Sequence, residues 1–482
     1  MNSDSSTPAS SPSDSSTSDS STPDSSPPLV VAANRLPVRW DPDEESWTTS
    51  PGGLVSALSP ILRQRGGVWV GWSGTSDGDA QRFQVDGIDN QSVPLDETDV
   101  EDHYHGFCNA TIWPLYHDAI RPPEFHRHWW RRHRDVNQRF ADTVADVSTS
   151  KDLVWIHDYQ LQLVPSMVRE LQPDRRIGFF LHIPFPPPEI FERLPWRRQM
   201  LEGLLGADYL GFQTRRAALN FAASAREFAG ARGPAGALRF GGREIRAEPV
   251  PIAIDTEHYA GAAAQPSVQQ LGAELRRDLG DPETMILGVD RLDYTKGIDL
   301  RLRVLETLFD RYPELIGRLS LVQIAVPSRE DVEEYQEIRR QVEELVGRVN
   351  GRFGQAGWMP VHYVYRSVPF EELIGAYCNA DIMLVTPLRD GMNLVAKEYV
   401  ATRLDNSGAL VLSEFAGAAE QLEEALLVNP YDLDALAATI HRAVVMDEDE
   451  KRRRMRRLRR KVSRWDVHRW ARHCLESMAR ER

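Results

Sequence analysis

ILGVDRLDYTKG, residues 286–297, decides the fold. Its first five residues, ILGVD (286–290), are a short apolar run that reads as a buried strand. A polar turn follows, and Gly297 opens a helical pattern over 297–311. Strand, turn and helix in that order build a parallel sheet covered by helices on both faces. Toward the C-terminus the unit repeats: LSLVQIAV (319–326), a long charged helix over 329–350, VHYVY (361–365), a helix over 370–378, DIMLVTP (381–387), ALVLS (409–413) and ALLVNP (425–430). Toward the N-terminus, 256–285 is rich in Ala, Gly and Gln and reads as a connection plus a helix. An earlier series precedes it: LVVAAN (29–34), VWVGW (68–72), DLVWIHD (152–158), IGFFLHI (177–183) and YLGF (209–212), with helical patterns over 160–172 and 189–205.

The expected fold is therefore α/β, with two Rossmann-like, doubly wound parallel-sheet domains facing a central cleft. Residues 29–254 make the first and 255–450 the second. Residues 1–28 are Ser, Thr, Pro and Asp with almost no apolar side chain, so they are expected to be a disordered leader. Residues 451–482 open with KRRRMRRLRRKVSR (451–464) and are expected to be basic helices packing back on the first domain. Met455, Leu458, Val462 and Trp465 recur at three- and four-residue steps, which makes the arginines the solvated face of a helix.

Composition excludes several classes. A net charge of -14 disfavours general nucleic-acid binding. No apolar run approaches the roughly 20 residues of a membrane span, and the leader is not a secretory signal. Cys108, Cys378 and Cys474 are far apart and odd in number, which argues against a disulfide framework or a zinc site and fits a cytoplasmic location. Nucleophile elbow, Walker loop, HExxH, dinucleotide glycine motif and zinc spacing are all missing.

Ligands of doubly wound folds sit beyond the carboxyl ends of the strands, so the residues there matter most. Arg291 and Lys296 share one loop and suit a pyrophosphate, with the helix after Gly297 adding amides. A solvated loop with ordinary ion pairs would look the same. LRDGMNLVAKE (388–398) turns at Asp390-Gly391 and starts a helix. Amides near Leu394 and Val395 suit a phosphate, Glu398 suits a ribose diol and Asp390 suits sugar hydroxyls. A simple capped helix is the plain alternative. Gly52-Gly53 lets a ligand approach backbone, or is only a turn. His182 lies between an apolar strand and a proline-rich loop, where a structural histidine is commoner than a catalytic one. His157 and Asp158 are neighbours on a strand and so point to opposite faces. Arg35, Tyr104 and Arg329 are candidates for a second anion, and Trp113 for a sugar wall or a core position.

FFLHIPFPPPEIF (179–191), VDRLDYTKG (289–297), VPSREDV (326–332), GRFGQAGWMPVHY (351–363) and VTPLRDGMNLVAKEYV (385–400) together resemble the trehalose-6-phosphate synthases, retaining glucosyltransferases of the GT-B fold. The resemblance runs from about Leu29 to about Tyr431. It implies that glucose passes from a nucleotide-glucose, UDP-glucose foremost and GDP- or ADP-glucose next, to glucose 6-phosphate. The product is then α,α-1,1-trehalose 6-phosphate, made without a metal or other cofactor. It assigns donor contacts to Gly52, Gly53, Arg291, Lys296, Asp390, Leu394, Val395 and Glu398, with Val368 at a backbone contact to the base. His182 falls beside the anomeric centre. Acceptor contacts fall on Arg35, Tyr104, Arg329 and Asp158, with Trp113 in the matching aromatic stretch. The first domain then holds the acceptor and the second the nucleotide-sugar. A homo-oligomer, dimer or tetramer, is expected, as is a separate trehalose-6-phosphate phosphatase. Three rivals stand against this: a glucosylglycerol-phosphate synthase, a cyclitol-coupling pseudo-glycosyltransferase and a non-catalytic synthase-like subunit. The acceptor trio argues against the first, and the intact donor residues against the others.

Overall fold

A computed structural model describes residues 28–41, 46–49, 53–76, 79–327 and 333–480. The leader, Gly52 and Arg329 lie outside the described residues, save that Pro28 is included. The first series of strands forms a nine-stranded sheet. Its spatial order is Leu238–Phe240, Arg243–Pro249, Tyr209–Phe212, Arg176–Leu181, Leu153–His157, Leu29–Arg35, Gly67–Trp72, Ile88–Ser92 and Arg82–Val85. The second series forms a six-stranded, wholly parallel sheet in the order Val361–Val364, Leu319–Val326, Thr284–Arg291, Ile382–Val385, Ala409–Ser413 and Leu426–Val428.

Both sheets are wound the same way. In the second, the chain-order of the strands reads 3-2-1-4-5-6 across the sheet, the dinucleotide-fold order. In the first, the parallel strands follow the same scheme with Leu29–Arg35 in the first place. Each sheet thus has one point where the order reverses. In the first it lies between Leu29–Arg35 and Leu153–His157, which pair directly. In the second it lies between Thr284–Arg291 and Ile382–Val385. The strand interiors are almost all apolar and buried because helices cover both faces.

The structure differs from expectation where local chemistry overrides periodicity. The helical pattern over 189–205 is two helices, Pro188–Phe191 and Arg197–Leu204. Pro195 lies between them and cannot donate the hydrogen bond a continuous helix needs. The 160–172 pattern is a short 3-10 turn followed by Val164–Leu171. The 256–285 stretch holds two helices, Thr256–Ala263 and Pro266–Asp278, the second opened by its proline. Three short antiparallel hairpins, and a π-helix over Val100–Ile112, were not legible in the pattern.

The last two helices divide between the sheets. Glu448–Arg464 buries Met455, Leu458 and Val462 against the second half and turns its arginines outward. Val467–Ala479 lies on the first sheet, where Trp470 is fully buried with ring centroids 5.2 Å from Trp155 and 5.1 Å from Phe180. Arg246 donates to the Ser477 carbonyl, and Trp465 donates to the Pro251 carbonyl at 2.7 Å. Among the described residues, no helix is long and apolar enough to cross a membrane.

Candidate active site

The two switch points open onto one cleft of about 800 Å³. From the first sheet it receives Arg35, which ends the strand Leu29–Arg35, and Asp158, which follows Leu153–His157. His182, just past Arg176–Leu181, and Tyr104, on the π-helix, join them. From the second sheet come Arg291, which ends Thr284–Arg291, Lys296 in the turn after it, and Asp390, Leu394 and Val395 after Ile382–Val385. Leu54 and Val55 line the same cleft, one and two residues past Gly53, which begins the helix Gly53–Arg65.

The second-half wall is built from two loops tied together. Asp293 accepts from the backbone and hydroxyl of Thr295 at 2.9 and 2.8 Å, and Tyr335 donates to its other oxygen at 2.9 Å. Gly297 caps the next helix at φ 63°, a left-handed conformation, and a Cβ there would stand 2.7 Å from the Thr386 carbonyl oxygen. Leu388 donates to the Thr295 carbonyl at 2.7 Å, joining the loops. Lys296 Nζ then meets Asp390 Oδ2 at 2.6 Å, with Asn393 Nδ2 3.2 Å from the same oxygen. Burial alone would push the Asp390 carboxyl up. The Lys296 cation and the amide of Asn393 outweigh it and hold the group below its ordinary value, so it stays ionised. Asn393 also caps the helix Leu394–Thr402, accepting from Ala396 N at 3.1 Å. The helix start therefore aims at the cleft.

On the first-half wall the Arg35 guanidinium lies 4.0 Å over the Trp72 ring and 5.9 Å from Tyr104. Asp158 has φ 73° and ψ 171°, a region that side chains rarely occupy. That twist lets Asp158 Oδ1 accept from the His182 backbone at 3.2 Å. His157 Nδ1 lies 3.2 Å from His182 Nε2. So His157 and Asp158, expected to diverge, converge on His182, because Asp158 has already left the strand. Burial pushes His182 down to about 3, so its imidazole is neutral across the physiological range.

Trp113, Val368 and Glu398 do not line the cleft. Trp113 is buried beneath it; Arg291 stands 5.9 Å over its ring, so the tryptophan supports a cation rather than forming a wall. Val368 packs half-buried against the core. Glu398 accepts from the Tyr377 hydroxyl at 2.9 Å, and burial raises its carboxyl against the lowering effect of Tyr377 and Tyr259. Asn34 and Asn393, read as a strand-end and a helix-start residue, also line the cleft, as do Gln160 and Gln213, which the sequence did not single out. Sequence reasoning had only position to go on for Gln213, one residue past Tyr209–Phe212, and no such signal for Gln160 in the 3-10 turn Tyr159–Leu161. It also found no metal-ligating cluster, yet the fold gathers ligand atoms of His103, Cys108 and His133 within 4.8 Å of one another.

Two doubly wound sheets whose switch points share a cleft, with cations on both walls, define a GT-B glycosyltransferase. A family model described as glycosyltransferase family 20 matches residues 27–480. A trehalose-6-phosphate synthase of Mycolicibacterium smegmatis is 50% identical over 463 residues, covering 94% of this chain and 92% of that protein. A solved E. coli structure bound with UDP-2-fluoro glucose superimposes with a TM-score of 0.86 at 38% identity, covering 94% and 99% of the two chains. An α,α-trehalose-phosphate synthase (UDP-forming) from Burkholderia xenovorans, in complex with glucose-6-phosphate, gives 0.87 at 34%, also over 94% and 99%. The chain belongs to glycosyltransferase family 20.

Proposed function

We propose that this enzyme moves glucose from UDP-glucose to glucose 6-phosphate and releases α,α-1,1-trehalose 6-phosphate and UDP. The observation that carries the reading is the facing of two anion-seeking walls across one cleft: Arg291, Lys296 and the helix start at Leu394 on one side, Arg35 and Tyr104 on the other. The relatives with UDP-2-fluoro glucose and glucose-6-phosphate bound support the same pair of ligands here. In this reading residues 255–450 hold the donor and 29–254 the acceptor. Arg291 and Lys296 take the donor diphosphate, where charge grows as the glycosidic C–O bond breaks. Asp390, released in part from Lys296, takes the sugar hydroxyls. Neutral His182 lies by the anomeric carbon without adding charge to an oxocarbenium-like transition state. The acceptor hydroxyl attacks from the face the phosphate leaves, and the departing phosphate oxygen takes its proton, so configuration is retained. The residues supply the positive charge this needs without a metal. Gly52 and Gly53 complete the donor side and Asp158 and Arg329 the acceptor side, while Glu398 and Val368 stand behind the donor wall and Trp113 supports Arg291 from beneath. A cytoplasmic location, a homo-oligomeric state and a separate phosphatase acting on the product belong to the same reading.

The test is nucleotide release with UDP-, GDP- or ADP-glucose, each with and without glucose 6-phosphate. Release that requires glucose 6-phosphate and is fastest with UDP-glucose is expected. No release with any donor would overturn the assignment.

A further inference from the structure

Two histidines from adjacent strands meet at the cleft, and one of them lines it. His157 ends the strand Leu153–His157 and is 0% exposed; His182 follows Arg176–Leu181 and reaches the cleft. His157 Nδ1 lies 3.2 Å from His182 Nε2, and the ring centroids are 5.4 Å apart with planes inclined by 29°. That separation is close to the greatest that a 3.2 Å contact between ring nitrogens allows. Each nitrogen therefore points along the line between the rings, the in-plane direction of an imidazole N–H or lone pair, as a hydrogen bond requires. Burial keeps both rings neutral, so each holds one proton, and one nitrogen of the pair donates while the other accepts.

The other nitrogen of His157 decides which. His157 Nε2 is buried and has no partner among the described residues. Aromatic rings stand against it, Trp155 at 4.6 Å and Phe180 at 6.4 Å between centroids. The indole N–H of Trp155, also buried and without a partner among the described residues, can only donate. If His182 donated, His157 would carry its proton on Nε2, an N–H among aromatic rings with no acceptor. If His157 donates from Nδ1, only a lone pair faces those rings. Buried N–H groups without an acceptor are rarer in folded proteins than acceptors left unfilled, so the second arrangement wins. His182 then accepts at Nε2 and holds its own proton on Nδ1. Its backbone is held as well: the amide donates to Asp158 Oδ1 at 3.2 Å and the carbonyl accepts from Gln213 at 3.5 Å. We propose that His157 is a positioning residue that fixes His182 as the Nδ1–H tautomer, so that it offers a hydrogen-bond donor, not an acceptor, to a hydroxyl of the glucose being transferred. The identity of that sugar rests on the function proposed above; the tautomer does not.

The experiment reads the tautomer directly. Long-range proton–nitrogen correlation spectra of the full chain, isotope-labelled only at histidine, report which ring nitrogen is protonated, and the signals that His182→Asn loses assign His182. Nδ1–H at His182 is expected in the wild type. Nε2–H there overturns the proposal and leaves the function untouched; absence of nucleotide release with every donor sinks the function and leaves the spectra to decide the tautomer. Two variants then separate donation from packing. His157→Asn keeps an N–H where Nδ1 stood but leaves space, whereas His157→Phe keeps a ring and loses the donor. With saturating glucose 6-phosphate, kcat/KM for UDP-glucose should fall about 10-fold in His157→Phe, the worth of one hydrogen bond, and stay within about threefold in His157→Asn. His182 should keep Nδ1–H in His157→Asn and become a mixture of tautomers in His157→Phe. If His157→Asn is as slow as His157→Phe, or slower, His157 only packs and the proposal is overturned.

Discussion

Lys397 is buried to 2% exposure, and its Nζ donates to the Ile252 carbonyl at 2.6 Å. It stands on the helix that starts at the cleft, so one bond ties the second half to the chain leaving the first sheet. Burial pushes its amine from the ordinary 10.5 down to about 7. A lowered lysine pKa means the unfolded chain binds more protons between the two values, so stability rises with pH across about 7 to 10.5. Lys397→Met should flatten that rise by ~1 kcal/mol per pH unit and leave the chain more stable near neutrality. Denaturant unfolding of both proteins at pH 7 and 9.5 measures it; parallel curves would refute the shift. Arg35 belongs to the same scale. It is held over Trp72 and beside Tyr104 at the mouth of the cleft, which suits a residue placed for an anion. Arg35→Ala should raise the KM for glucose 6-phosphate about 10- to 100-fold, the worth of one charged hydrogen bond, and leave the KM for UDP-glucose within about twofold. Equal rises in both would remove Arg35 from the acceptor side.

Elements meet most tightly at Gly391. A Cβ there would stand 2.2 Å from the His182 carbonyl oxygen and 3.0 Å from Ile183 Cα, so the turn after one half's strand touches the turn after the other's. Gly391→Ala must push these turns apart by about an ångström, and a displacement of that size costs about 100-fold in rate. Steady-state kinetics should show that fall in kcat/KM while circular dichroism stays native; unchanged kinetics would show that the contact is slack. Such turns were partly legible. Asp390-Gly391 reads as a turn and Asn393 as a cap from residue type alone, and Asn393 does cap, accepting from Ala396 N. What could not be read was which face Asp158 would present, since its φ of 73° depends on the His182 amide it serves. Nor could Pro195 be weighed against the apolar period around it without knowing what the two helix pieces pack on.

Across the whole molecule the C-terminal helix Val467–Ala479 closes the first sheet's exposed face, with Trp470 between Trp155 and Phe180. Trp470→Ala removes a fully buried indole and should lower stability by about 3–5 kcal/mol. Differential scanning calorimetry would register it as an earlier transition; a shift below 1 °C would mean the helix adds little. The strands, their alternation with helices and the residues at their carboxyl ends were determined by the sequence, because apolar runs and turn residues act locally. Arg35, Arg291, Lys296 and Asp390 were found that way. Only the tertiary structure decided that both sheets reverse their order at those residues and face one another. It alone placed Trp113, open between wall and core, beneath Arg291, and drew His103, Cys108 and His133 together across 30 positions. Those outcomes depend on contacts between distant segments, and a periodic pattern holds no record of which distant segment a buried face will meet.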